Sequence, residues 1–148
     1  YALGHIIQGI GNIFENLLWK CFGGMPTKWL LKPNRFKQRI LDMKMTEKVK
    51  EKIETDYGSI SNETDYGLII YDKLFQKKLT DRIDIFNGNY SLFRGLSITF
   101  IVLFAYLVID KNHQFGLVFA FCGFISVRRM IRFGKHYAKD IYRAFLNC

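Results

Sequence analysis

The sequence predicts an all-α fold: a helical membrane protein with a charged cytoplasmic helical region, a C-terminal apolar helical hairpin and a basic helix after it. Three observations predict this. Residues 95–109 and 114–127 carry no charge and are separated by the polar turn Asp110-Lys111-Asn112-His113. Arg and Lys crowd the following stretch, six of them against one Asp in residues 127–148. Elsewhere apolar side chains return every three or four residues, the helical period, and no run alternates as a strand would.

Residues 1–24 form an apolar N-terminal helix with one polar stripe, ended by Gly23-Gly24-Met25-Pro26-Thr27. His5, Gln8, Asn12 and Glu15 are spaced by three, four and three, so they share a face. Gly4 and Gly11 also share a face and would let a second helix approach closely. The stripe has two readings. It faces water on an ordinary α-domain, or the helix lies at membrane depth and the stripe lines a water-filled lumen, since polar groups there need water or a partner. On the second reading His5, Gln8, Asn12 and Glu15 are the pore-lining candidates.

Residues 25–91 form the charged helical region. The Trp29 turn before Lys32-Pro33-Asn34 suits docking at an interface, and residues 35–55 read as an amphipathic helix with a stripe of Phe36, Ile40, Met43, Val49 and Ile53. Glu54-Thr55-Asp56-Tyr57-Gly58 recurs as Glu63-Thr64-Asp65-Tyr66-Gly67; each Asp-Tyr-Gly suits a helix end or turn, residues 59–62 between them are loop-like, and the whole stretch reads as a linker. Residues 68–86 form the next expected helix, with Tyr71, Leu74, Phe75, Leu79, Ile83 and Phe86 on its buried face. Asn87-Gly88-Asn89 is expected to be a turn.

Residues 92–127 make the hairpin. A bilayer core of about 30 Å takes about twenty helical residues, so neither arm spans it comfortably alone. Arg94 and Arg128 can snorkel, lending each arm a turn from its flank. Arg94, Arg128, Arg129, Arg132 and Lys135 all fall at the open end, as in a hairpin with both ends in the cytoplasm. The competing reading is a buried hairpin in a soluble protein. Against it, Phe100, Phe104, Phe115, Phe119, Phe121 and Phe124 leave no solvated face.

Residues 128–148 form the basic terminal helix, with a ridge of Arg128, Arg129, Arg132, Lys135 and Arg143. Arg129, Arg132, His136, Asp140 and Arg143 follow at three, four, four and three, which suits Arg132 and Arg143 to pair with Asp140 or with phospholipid phosphates. Arg129 and His136 have the spacing Arg-x6-His, which resembles the signature of the HEPN family of ribonucleases. The resemblance implies an imidazole that moves a proton and a guanidinium that holds a phosphate, brought together from two facing copies. Met130 departs from the family, where a polar residue often follows the Arg.

The chain has 148 residues, a net charge of +9 and 16% aromatic residues, too apolar for a disordered chain. A chain opening on Tyr1 reads as a piece of a longer one. The basic patch suits anionic lipid head groups and nucleic acid about equally well; the lipid bilayer is the expected partner, and direct nucleic-acid binding is not the favoured one. Cys21, Cys122 and Cys148 form no redox or ligand motif, which fits a reducing cytoplasm. No phosphate loop, nucleophile array or zinc cluster stands out, so neither cofactor nor metal is expected.

The opening Tyr1-Ala2-Leu3-Gly4-His5-Ile6-Ile7 helix, the charged middle before an apolar hairpin, and Arg129-x6-His136 after it together resemble the small membrane accessory protein of type VI-B CRISPR systems. That resemblance implies a homo-oligomeric ring with a pore in the bacterial inner membrane. It implies a partnership with an RNA-guided RNA nuclease, strengthening antiphage defence by depolarising the membrane. Arg129 and His136 would then be structural or regulatory and the protein no enzyme. A membrane-tethered HEPN-type ribonuclease and a membrane adaptor without activity of its own are the alternatives.

Overall fold

The computed structural model covers residues 1–148 and describes all of them except Tyr1, Leu31, Lys32 and residues 59–65, together with the side chain of Leu3. The protein is all-α, as the helical periodicity predicts. Its elements are α1 (Ala2–Phe22), a short 3-10 turn (Pro26–Leu30), α2 (Met43–Tyr57), α3 (Tyr66–Gln76), α4 (Asp81–Ile109) and α5 (His113–Leu146). The described residues contain no strand.

Three helices end in the same way, and the ends explain several departures from expectation. After α1, Gly23 turns left-handed (φ 86), the Gly24 amide donates to Trp19 O at 2.8 Å and the Gly23 amide to Lys20 O at 3.2 Å. This is the Schellman motif, which satisfies the orphan carbonyls of a last turn. Lys78 (φ 56) takes the same place after α3, with Leu79 N bonded to Leu74 O at 3.0 Å. Lys111 (φ 58) does so after α4, with Asn112 N bonded to Leu107 O at 2.9 Å. Two of the three stops therefore lack the glycine that normally marks them.

The single helix expected over residues 68–86 is accordingly two helices, broken at Lys78. Phe75 and Leu79, assigned to its buried face, are exposed, whereas Leu74 and Ile83 are buried. The turn expected at Asn87-Gly88-Asn89 is helical and continues α4 into the first apolar arm. The second arm likewise runs into the basic segment without a break at residues 127–128, making α5 34 residues long. The helix expected over residues 35–55 begins only at Met43. Before it, buried Asn34 holds a turn with its side chain: Oδ1 accepts from the amides of Phe36 at 3.0 Å and Gln38 at 2.7 Å. Such Asn bonds compete with helix formation. The linker expected over residues 54–67 is helical at both ends, since α2 runs on to Tyr57 and α3 starts at Tyr66; its residues 59–65 lie outside the described residues.

The chain divides into two compact units, residues 1–18 with 87–133 and residues 19–86 with 134–148. The second has an apolar core: Trp29, Val49, Ile53, Ile70, Leu74, Ile83, Ile141 and Phe145 are all buried. Trp29, expected at an interface, belongs to this core. Its indole donates to Gly24 O at 3.0 Å and meets Trp19 edge-on at 5.9 Å. The Tyr142 hydroxyl closes the cluster by donating to Thr27 O.

The first unit buries small and polar residues, Gly11, Glu15, Ser97, Gly116, Gly123 and Ser126, beside a few apolar ones, Tyr90, Ile98 and Met130. Its exposed ones include Ile13, Leu17, Ile109, Phe115, Leu117, Phe121 and Phe124, each at least 60% exposed. The arms of α4 and α5 lie against each other with Phe100 near Phe119 (6.1 Å between rings) and Phe93 stacked on Phe133 (5.5 Å). Gly123 makes this approach close, since a Cβ there would sit 3.4 Å from Phe100 Cβ. Ser97 and Thr99 spend their hydroxyls on the helix itself, donating to Phe93 O at 2.6 Å and Gly95 O at 3.1 Å.

Candidate functional site

Three separate features of the first unit are candidates for function: the packing face of α1, its polar stripe and the cationic end of the second arm. Gly11 and Glu15 are one turn apart on α1 and both are buried. The Glu15 carboxylate accepts from Arg94 Nη1 on α4, with both side chains largely enclosed. The absence of a side chain at Gly11 makes room for the Arg94 stem, because a Cβ would stand 3.4 Å from Arg94 Cγ. Glu15 is thus not an open member of the polar stripe; it is spoken for by a cation within its own chain.

His5, Gln8 and Asn12 are exposed, and so is a second stripe at helical spacing, Ile6, Ile10, Ile13 and Leu17. The helix therefore presents an apolar and a polar surface to its surroundings. His5 and Gln8 continue into a groove of about 630 Å³ between α1 and α4, where Ser91, Gly95 and Thr99 form the opposite wall. Small side chains there keep the groove open.

On α5 the expected basic ridge has no common environment. In the first unit Arg128, Arg129 and Arg132 are exposed. The Arg128 guanidinium lies 5.9 Å from the Phe124 ring and that of Arg129 5.5 Å from Phe93. In the second unit Lys135 is half-buried, donates to Gln38 Oε1 at 2.8 Å and sits 5.6 Å over Trp29; burial holds its pKa below the ordinary lysine range. Arg143 is exposed. Asp140 pairs with neither Arg132 nor Arg143, as the spacing suggested, but with Arg82 of α4. Arg82 Nε lies 2.8 Å from Asp140 Oδ2, close enough for an ion pair though out of hydrogen-bond line.

His136 lies flat on Phe86, ring centroids 5.5 Å apart and 19° from parallel, while the Arg82 guanidinium is 5.8 Å from the same ring. Arg129 and His136 share a helix, but each has its own aromatic partner and they fall in different units. One copy thus supplies one guanidinium and one imidazole, without the second pair that the HEPN arrangement takes from another copy. Among the described residues, no group of three His, Cys, Asp or Glu side chains could hold a metal ion. Cys21, Cys122 and Cys148 are free thiols.

Arg94 was legible only as a hairpin boundary, and its partner was missed. Glu15 is the one acid in residues 1–24, and Arg94 the last charge before the uncharged residues 95–109; opposite charges so placed in two apolar helices are a signal for pairing.

The fold and site define a helical protein with two helices, α4 and α5, long and apolar enough to cross a membrane. Only 11% of the most apolar window of α4 and 22% of that of α5 are buried, whereas the core helix of a soluble protein would be mostly buried. No protein-family model, curated protein or solved structure matches the chain.

Proposed function

We propose that this protein inserts in the bacterial inner membrane as a homo-oligomer and forms a pore, with its charged regions in the cytoplasm. The observation that carries the proposal is the pairing, in one unit, of many exposed large apolar side chains with an exposed polar stripe. A soluble monomer rarely leaves a contiguous apolar patch larger than a few hundred Å² in water. Lipid is the natural solvent for the exposed Ile, Leu and Phe side chains, while small and polar groups at the helix contacts suit packing inside a bilayer.

His5, Gln8 and Asn12 cannot be left against lipid without cost, and copies of the chain arranged around a shared axis give them water instead. The exposed Ile6, Ile10, Ile13 and Leu17 then meet either lipid or the neighbouring copy. The Glu15–Arg94 pair fixes α1 to the hairpin and so sets which face is left for the lumen. A role beside an RNA-guided RNA nuclease, depolarising the membrane during antiphage defence, is proposed on the sequence resemblance alone.

The test is membrane potential in bacteria making the protein, alone and with an active RNA-guided nuclease. Depolarisation that needs both supports the whole proposal, and depolarisation by the protein alone supports a pore controlled elsewhere. An unchanged potential, with the protein in the membrane fraction, replaces the pore with a tethered ribonuclease or an adaptor.

A further inference from the structure

Along one face of α5 the side chains change from apolar to cationic within a single turn. Phe121, Phe124 and Ile125 are 65%, 60% and 40% exposed, and Arg128, Arg129 and Arg132 follow at helical spacing. Together these six line a concave patch of about 420 Å³. Among the described residues none of the three arginines has a carboxylate partner, in contrast to Arg82 and Arg94, which do. Three neighbouring guanidiniums without an anion repel one another, and a surface that keeps them together is stabilised by an anion supplied from outside.

We propose that this patch binds the headgroup phosphate of an anionic phospholipid, with the acyl chains against Phe121, Phe124 and Ile125. The inference rests on the membrane reading and adds a partner of defined chemistry to it. Guanidinium forks match phosphate oxygens, which favours arginine over lysine at such a place. Two of the forks are held at the boundary by aromatic rings, Arg128 by Phe124 and Arg129 by Phe93. That arrangement keeps the charges at the depth where an acyl chain ends and a headgroup begins. Nucleic acid would also meet the three charges, but it has no use for the exposed phenylalanines immediately beside them.

The experiment uses the full chain purified in a neutral detergent. Phosphatidylglycerol and phosphatidylcholine of identical acyl chains are offered in equal amounts, and retained lipid is counted by native mass spectrometry. Reconstitution into vesicles followed by carbonate extraction is scored in parallel as the readout of membrane insertion. Each cation near a membrane surface contributes roughly a fivefold preference for anionic lipid, so R128Q/R129Q/R132Q should reduce the phosphatidylglycerol preference by on the order of a hundredfold.

R39Q/K44Q/K48Q, which removes the same charge from exposed positions of the second unit, should leave that preference intact. R128Q/R132Q keeps the Arg129–Phe93 contact and should show an intermediate loss. Equal retention of the two lipids by an inserted wild-type chain overturns the site and leaves the membrane reading standing. Equal losses in the two triple variants also overturn it, as does abolition of the preference by millimolar inorganic phosphate, which would indicate a site for free phosphate. A chain that carbonate extracts from vesicles overturns both readings.

Discussion

Glu15 and Arg94 show how much a single residue's surroundings matter in this protein. Either charge alone, enclosed between two apolar helices, would be left without compensation. Truncating one partner of a buried pair costs about 3–5 kcal/mol, largely through the charge left behind. Glu15→Ala and Arg94→Ala should each lower the unfolding free energy by that order, read from the shifted midpoint of a denaturing-detergent titration. The double variant should lose distinctly less than the sum of the two. Tyr71 offers a residue-scale test in the second unit. Its hydroxyl donates to Asp84 Oδ1 at 2.6 Å, and that bond to a carboxylate, aided by burial, pushes the phenol up to about 12 from its ordinary 10.0. A raised folded value means the bond's stabilisation is fully present below pH 10 and is lost as pH rises through about 12. Tyr71→Phe should therefore destabilise the protein at neutral pH and flatten the loss of stability above pH 10, as followed by circular dichroism.

At the scale of elements, helix existence was legible and helix ends were not. The end of the first helix was legible to within two residues because Gly23 and Gly24 announce the stop. The stop at Lys78 was invisible because a lysine occupies a left-handed position that glycine usually fills, and Thr80-Asp81, with Asp84 one turn later, was an N-terminal signal passed over. Asn87-Gly88-Asn89 misled in the opposite sense. A helical glycine costs about 1 kcal/mol relative to alanine. Helix on both sides of this segment, buried through Ile83 and Tyr90, outweighs that cost. Because a left-handed non-glycine residue is strained by about 1–2 kcal/mol, Lys78→Gly should raise stability toward urea by about 1 kcal/mol. The hairpin contact gives a paired prediction. A methyl at Gly116 would meet Phe104 at 3.7 Å, an ordinary contact, so Gly116→Ala should be tolerated. At Gly123 the nearest atom is already at 3.4 Å, so Gly123→Leu should cost about 1–3 kcal/mol by forcing the arms apart. Thermal unfolding of the two variants in one detergent compares them directly.

For the molecule as a whole, the sequence carried the class of architecture further than the site. All-helical structure, the apolar hairpin and the polar stripe on α1 were legible because each depends on local periodicity. The fate of the stripe was not, since Glu15 is removed from it by a residue 79 positions away. The basic ridge was legible as a pattern but not as separate environments: Lys135 and Asp140 are claimed by Gln38 and Arg82, which only the tertiary fold brings near. What marks the first unit is its exposed apolar surface, and the pore proposal stands on giving its exposed polar stripe a water-filled lumen. The most direct test is ion flux through vesicles reconstituted with the purified chain, wild type beside Gln8→Leu/Asn12→Leu. Flux through the wild type that falls at least tenfold in the variant, with insertion and oligomeric size unchanged, is the result expected of a lumen lined by that stripe. An inserted, oligomeric wild type that carries no ions, or a variant that conducts as well, would contradict it.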